Sequence, residues 1–278
     1  VIHVDVDPVE HLWAPGLDAE LSELIRGYAV DTVVHLAAVV TPGRKSSAEL
    51  EYAIDVLGTE NVLNACVRAG VRRLVYTSSG AAYGYHPDNP QLLHEADPLR
   101  GNADFPYAYH KRLAEEMLAR YRREHPELAQ LVLRPGTILG ETVASPITAM
   151  FDRPVIVGVR GSDAPFVLVW DEDVARCIVE GICSGRTGIY NLAGDGTISL
   201  REIARRLGKP YVALPAGLLR AVLQVLHTLG LSARGPEQVS FLLHRPVLSN
   251  DRLKSEFGFV PTYTTEQCFE RYCQLHGQ

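Results

Sequence analysis

The sequence predicts an α/β protein: a doubly wound parallel sheet covered by helices on both faces, with a smaller, mostly helical C-terminal lobe. Three observations carry this. Apolar runs of strand length alternate with segments of helical period from the first residue to about residue 195. The central runs, Thr32-Val33-Val34-His35-Leu36-Ala37-Ala38 and Leu131-Val132-Leu133, are near-continuously apolar, as parallel strands buried on both faces are. Beyond 195 the rhythm gives way to helical segments and a tail punctuated by Pro210, Pro215, Pro236, Pro246 and Pro261.

In chain order, strands are expected at Val1 to Val6, Thr32 to Ala37, Arg73 to Thr77, Leu131 to Arg134 and Gly188 to Leu192. Between them, Asp18 reads as the N-cap of a helix to about Tyr28. Ser46 or Ser47 opens a helix running to Ala69 with Gly70 as its stop, and a third runs from about Pro106 to His125. Ser199-Leu200-Arg201-Glu202 reads as a capping box opening a helix to Leu207, closed by Gly208. Loop chemistry concentrates at 83–106 and 140–163. Both stretches are expected at the carboxyl ends of strands, the edge where open parallel sheets bind ligands.

Composition excludes several classes. With 46% hydrophobic and 22% charged residues over 278 positions, the chain has enough apolar content for a large core and reads as globular rather than disordered. A net charge of -6 and the lack of a dense basic stripe argue against a nucleic-acid partner. The five cysteines, Cys66, Cys177, Cys183, Cys268 and Cys273, are scattered and never in C-x-x-C spacing, which fits reduced thiols in a cytoplasmic protein better than disulfides or zinc. No run approaches about 18 uninterrupted apolar residues, so no membrane span is expected. The first residues carry no signal-peptide pattern and no initiator Met, so residues upstream of Val1 are expected.

The chemistry-bearing residues are Tyr107 and Lys111 in Y-A-Y-H-K, downstream of a strand that ends in Thr77-Ser78-Ser79. Positions i and i+4 share a helix face, so a phenol and an ammonium there can meet one substrate and one cofactor. Bringing a phenol's pKa from about 10 to about 7 takes roughly 4 kcal/mol of differential interaction, and Lys111 is the donor at the right spacing. Ser79 would hold the same substrate oxygen by a hydrogen bond, with Ser78 as its competitor for that role. Tyr-x-x-x-Lys pairs also arise by chance on amphipathic helices, and the strand-borne serines are what set this one apart.

These residues, with V-V-H-L-A-A (33–38), G-T-E-N-V-L (58–63), L-V-Y-T-S-S-G-A-A-Y-G (74–84), L-R-P-G-T-I-L-G (133–140), D-E-D-V-A-R (171–176) and Y-N-L-A-G (190–194), give an ordered set over almost the whole chain. The chain resembles the extended short-chain dehydrogenases/reductases (NAD-dependent epimerases/dehydratases), in particular a branch similar to UDP-glucose 4-epimerases. The resemblance implies a Rossmann domain in which Tyr107 transfers the proton, Lys111 holds the nicotinamide ribose and lowers the phenol pKa, and Ser79 takes the family's Ser position. It places the substrate against Ser79, Gly80 and Tyr107. It implies NAD as cofactor beside Leu36, Ala37, Ala38 and Pro135, with Asp5 on the adenosine ribose favouring NAD over NADP because a 2'-phosphate would meet a like charge. Asp7 competes with Asp5. A homodimer through the helices at 47–69 and 107–124 is implied as well. The organisation expected is an incomplete NAD-binding domain over 1–195, with substrate-lobe segments interleaved at about 141–165, and a substrate lobe over 196–278.

The chain departs from the family at several points. The Gly-x-x-Gly-x-x-Gly loop, whose amides and helix N-terminus neutralise the pyrophosphate, is expected ahead of Val1 and is not in the sequence. Asp55 stands where the family usually has Asn, Pro15 where an Asp commonly contacts adenine, and Trp170 where His is usual. Other residues have bland readings: Tyr109 lines or packs, His86 and His94 are surface histidines with no metal between them, and Asp171, Glu172 and Asp173 complement a helix N-terminus. Arg134 either reaches a substrate phosphate or braces the sheet, and Arg153 and Arg160 are candidate diphosphate partners.

Three readings of function follow: an NAD-dependent epimerase/dehydratase-like oxidoreductase acting on a nucleotide sugar through a transient keto intermediate; a reductase or dehydrogenase of another small carbonyl or alcohol; and a non-catalytic scaffold or gene fragment that has lost cofactor binding.

Overall fold

The computed structural model describes residues 14–40, 46–230 and 235–277. The strand expected at Val1 to Val6, and with it Asp5 and Asp7, lies outside the described residues. From the sheet outward, β1 (Thr32–His35), β2 (Arg73–Thr77), β3 (Ala129–Pro135) and β7 (Gly188–Leu192) form one all-parallel sheet in that order. Two further parallel pairs stand beside it: β4 (Thr137–Leu139) with β6 (Leu168–Trp170), and β5 (Ile156–Val159) with β8 (Tyr211–Leu214).

The period-2 alternation of strand side chains divides the core. Leu74 and Tyr76 of β2 and Val132 of β3 face α1 (Leu17–Gly27), α3 (Gly58–Ala69) and α4 (Pro106–Glu124) through Ile25, Leu63, Cys66, Ala114 and Leu118. Val75, Leu131 and Leu133 face the other way, toward α6 (Asp171–Ser184) and the π-helical turn Leu253–Phe257. A separate core joins Leu139, Phe151, Phe166 and Trp170 to Ile203 of α7 (Leu200–Arg206) and to Phe269 and Tyr272 of α10 (Thr265–Leu275). Residues before and after position 195 thus share one apolar cluster.

Several element boundaries differ from the sequence reading. Gly16, with φ 88, is the N-cap of α1, and Asp18 sits within the first turn, 2.8 Å from the Arg68 guanidinium. The long helix to Ala69 is opened as expected by Ser47, whose hydroxyl accepts the Leu50 amide, but it is not continuous. It runs as α2 (Ala48–Tyr52), a π-helical turn Ala53–Leu57 and then α3, ending at Gly70 in the left-handed region. Ser199 accepts the Glu202 amide, yet Glu202 turns its carboxylate to Arg205 and Arg206, so only half of the capping box forms. The stretch 140–163 is not simply loop, since it contains α5 (Pro146–Phe151) and β5. Beyond 195 the chain adds β8, α8 (Ala216–Thr228) and α9 (Gln238–Leu243).

Helix α6 lies so close to the sheet at Gly181 that a Cβ there would come 2.2 Å from Leu131 Cδ2. Gly181→Ala is therefore expected to cost about 1–3 kcal/mol through overpacking, read as a lowered urea midpoint, although alanine is the better helix former.

Candidate active site

At the carboxyl edge of the sheet, β1 runs out into residues 36–40, β2 into Ser78, Ser79 and a 3-10 turn (Gly80–Tyr83), and β3 ends at Pro135. Helix α4 starts here with Pro106 in its first turn, where a missing N–H costs nothing, and brings Tyr107 and Lys111 to this edge on one face. Lys111 is only 3% exposed. Its ammonium donates to the Thr77 carbonyl at 2.8 Å and to the Tyr76 hydroxyl at 3.3 Å, leaving one of its three protons uncommitted. Burial pushes the Lys111 pKa down to about 8, while the charges of Asp55 and Glu115 hold it up.

Tyr107 is half-buried, with the Lys111 ammonium 6.0 Å from its ring centroid. Its phenol pKa lies above the ordinary value: burial raises it, the Ser79 hydroxyl opposes this, and Asp55 adds to it. In this structure the Lys111 ammonium is directed at the β2 carbonyl and the Tyr76 hydroxyl. The two serines are told apart. Ser78 is buried and donates to Glu115 at 2.5 Å, whereas Ser79 is half-buried and bears on Tyr107.

Beneath this layer lies a buried ion pair. Arg134 grips Glu115 with Nε at 2.8 Å from Oε1 and Nη2 at 2.6 Å from Oε2, and its Nη1 donates to the Tyr83 hydroxyl at 2.7 Å. Arg134 is thus a brace between β3 and α4, not a phosphate ligand. Asp55 is also buried, inside the π-helical turn. It accepts the Val39 amide at 2.8 Å on one oxygen and faces His110 Nδ1 at 3.0 Å on the other. Its carbonyl accepts the Thr59 hydroxyl, which His35 Nε2 meets at 3.0 Å. Burial and the nearby Lys111 push the His35 pKa down to about 3, so this imidazole stays neutral.

The residues expected at the cofactor lie at the exits of β1 and β3 on this edge. Leu36 is a large apolar side chain left 57% exposed at the strand exit, Ala37 and Ala38 are half-buried beside it, and Lys111 keeps a free N–H. Pro135 is buried at the end of β3, where it pairs with Leu192. Gly80 is buried and closed by Leu248, whose Cδ1 would lie 2.9 Å from an added Cβ.

Other candidates fall outside the site. Tyr109 packs under Arg112, His86 meets the Arg100 carbonyl, His94 is exposed, and Trp170 is buried against Tyr263 and Arg271. Asp171, Glu172 and Asp173 occupy the first turn of α6. Pro15 lies in the turn before α1. Arg153 and Arg160 are exposed, and nothing draws them toward Tyr107. The cation missed by sequence reasoning is Arg245. It is 8% exposed and stacked over Phe166 at 3.8 Å and Phe241 at 5.0 Å; it donates to the Ala164 carbonyl, while Nε and Nη1 have no partner. Phe241 packs in the cluster that includes Tyr85, Phe105 and Tyr107. Among the described residues, no three His, Cys, Asp or Glu side chains are grouped to hold a metal ion, and no helix is long and apolar enough to cross a membrane.

The family model for the NAD dependent epimerase/dehydratase family matches residues 16–179, and the chain belongs to that family. It is 25% identical over 258 residues to an uncharacterized protein of Mycobacterium tuberculosis, covering 92% of this chain and 69% of that one. It is 37% identical over 122 residues, 44% of this chain and 34% of the other, to N-acetyl-alpha-D-glucosaminyl-diphospho-ditrans,octacis-undecaprenol 4-epimerase of Escherichia coli O157:H7. The fold matches that of the UDP-glucose 4-epimerase of Thermus thermophilus, solved with NAD, at a TM-score of 0.68 and 24% identity, over 96% of this chain and 83% of that one.

Glu115→Ala strands the Arg134 guanidinium in the core and is expected to cost about 3–5 kcal/mol in chemical denaturation. Changing both residues to apolar ones of similar size is expected to recover most of that loss.

Proposed function

We propose that this chain is an NAD-dependent epimerase/dehydratase-type oxidoreductase acting on a nucleotide sugar by transient oxidation of a ring hydroxyl and re-reduction of the keto sugar. The observation that carries the reading is the placement of Ser79, Tyr107 and Lys111 together at the carboxyl edge of the parallel sheet. NAD, when bound, accepts and returns the hydride. Tyr107 takes the hydroxyl proton as the carbonyl forms and gives it back on reduction, and Ser79 holds the same oxygen so that both transfers share one geometry. Lys111 holds the cofactor ribose with its uncommitted N–H. Leu36, Ala37, Ala38 and Pro135 border the cofactor, and the substrate lies against Ser79, the Gly80 backbone and Tyr107. Asp5, the acidic residue that the family resemblance implies on the adenosine ribose, would favour NAD over NADP by like-charge repulsion of a 2'-phosphate.

The substrate class rests on Arg245. A buried guanidinium with two unpaired donors is costly unless a ligand anion meets it, and a diphosphate supplies that anion. The aromatic wall of Tyr85, Phe105 and Phe241 supports a second reading, an apolar ketone or alcohol as substrate, in which Arg245 would have no role in binding. We infer a homodimer through α2, α3 and α4, supported by Tyr52 and Leu57, which are exposed there. A monomer at micromolar concentration in sedimentation velocity would contradict it.

Tyr107→Phe is expected to lower interconversion of UDP-glucose and UDP-galactose by about 10²-fold or more, with NADH binding by fluorescence titration unchanged. Unchanged turnover would remove Tyr107 from the mechanism. Arg245→Met is expected to raise KM for the UDP-sugar about tenfold or more with kcat nearly unaltered, as loss of uniform binding does. An unaltered KM would favour the apolar substrate.

A further inference from the structure

Helix α8 carries three rows of side chains. Ala216, Leu219 and Leu223 pack on Val159 of β5 and Val239 of α9, and Arg220, Gln224 and His227 form a polar row. The third row is apolar and open: Leu218, Val222, Val225 and Leu229 follow one another at the spacing of one helix face and are between 44% and 65% exposed. We propose that this stripe docks the protein peripherally on an anionic phospholipid surface. The inference is independent of the reaction proposed above.

Charge identifies the occupant. From Leu207 to Pro236 the sequence holds Lys209, Arg220 and Arg234 and no Asp or Glu, within a chain of net charge -6. A bilayer with negative headgroups repels such a chain as a whole, yet attracts this stretch of it. On α8 itself the apolar stripe and the row of Arg220 lie on different sides, the arrangement of a helix resting in the plane of a lipid interface. The apolar side chains then enter the acyl boundary, and the long stem of Arg220 lets its guanidinium reach toward the headgroups. With 13 residues, α8 has about 20 Å of length to lay along the surface.

A second copy of the chain fits less well. Two-fold pairing sets a patch against itself, so α8 would bring Arg220 toward its own counterpart with no carboxylate on either helix to answer it. Another exposed apolar pair, Val179 on α6 with Val260, gives an internal contrast. Glu172 and Glu180 line the groove that holds this pair, and negative headgroups would repel them. Both patches expose apolar surface; of the two, α8 alone has the charge to match.

The test is flotation of the whole chain with lipid vesicles, made either of phosphatidylcholine alone or of equal parts phosphatidylcholine and phosphatidylglycerol. Binding is expected on the mixed vesicles, weaker on phosphatidylcholine, and reversed by raised salt. The double variant Val222→Ser, Val225→Ser is expected to lower partition onto the mixed vesicles about tenfold or more, and Arg220→Gln severalfold. Val179→Ser removes a valine as exposed as Val225 and is expected to change nothing. An unchanged thermal midpoint shows that each variant is folded; should the double variant unfold, Arg220→Gln and the lipid dependence decide. No binding to the mixed vesicles overturns the proposal, as does equal binding to both lipids or an equal loss in Val179→Ser. A change of oligomeric state in the double variant, by sedimentation velocity without lipid, would assign the stripe to a second copy and overturn it as well.

Discussion

Helix α4 is held to the sheet by buried cations that cannot leave their partners, and the geometry of the site follows from that constraint. Lys111 is anchored on the Thr77 carbonyl, the last residue of β2, and Arg134 of β3 grips Glu115 one turn further along the helix. A buried charge is tolerated only with its hydrogen bonds made, so each contact fixes rotation and translation of α4 relative to the strands. Tyr107 inherits its position from them. It then faces Ser79 because β2 has just ended and the 3-10 turn carries the chain across the top of the helix.

The same constraint explains how the charges are tuned. Burial acts in opposite directions on the two key groups, lowering the Lys111 pKa and raising that of Tyr107. The free chain therefore rests with a protonated phenol and an ammonium poised to lose its proton near pH 8. In the proposed reaction, turning the phenol into a base would be left to charge that arrives with the cofactor.

Much of this was legible in the sequence. The strand positions followed from apolar runs bounded by polar or glycine residues, and β2 and β7 match their expected limits because both runs are buried on each face. The pairing of Tyr107 with Lys111 followed from helical spacing, and Gly70 and Ser47 acted as the stop and start their chemistry favours. What could not be read was geometry set by distant contacts. The π-helical turn at Ala53–Leu57 carries residues of ordinary helical propensity, and its register depends on Asp55 reaching Val39 and His110. Arg134 gave no sign of its role because Glu115 lies 19 residues away on another element. Arg245 looked like any arginine beside a proline until Phe166 and Phe241 closed over it. Asp18 was placed as a cap because its type suits that role, but Gly16 takes the left-handed conformation that starts the helix.

The central claim, that the free chain keeps Tyr107 protonated while Lys111 serves as the titrating anchor, is tested most directly by phenolate absorbance across pH, subtracting Tyr107→Phe from wild type, with and without NAD⁺. The account expects no Tyr107 phenolate below about pH 10 in the free chain and a downward shift when NAD⁺ is added. A phenolate already present near neutral pH without cofactor, or a midpoint that NAD⁺ leaves in place, would contradict it.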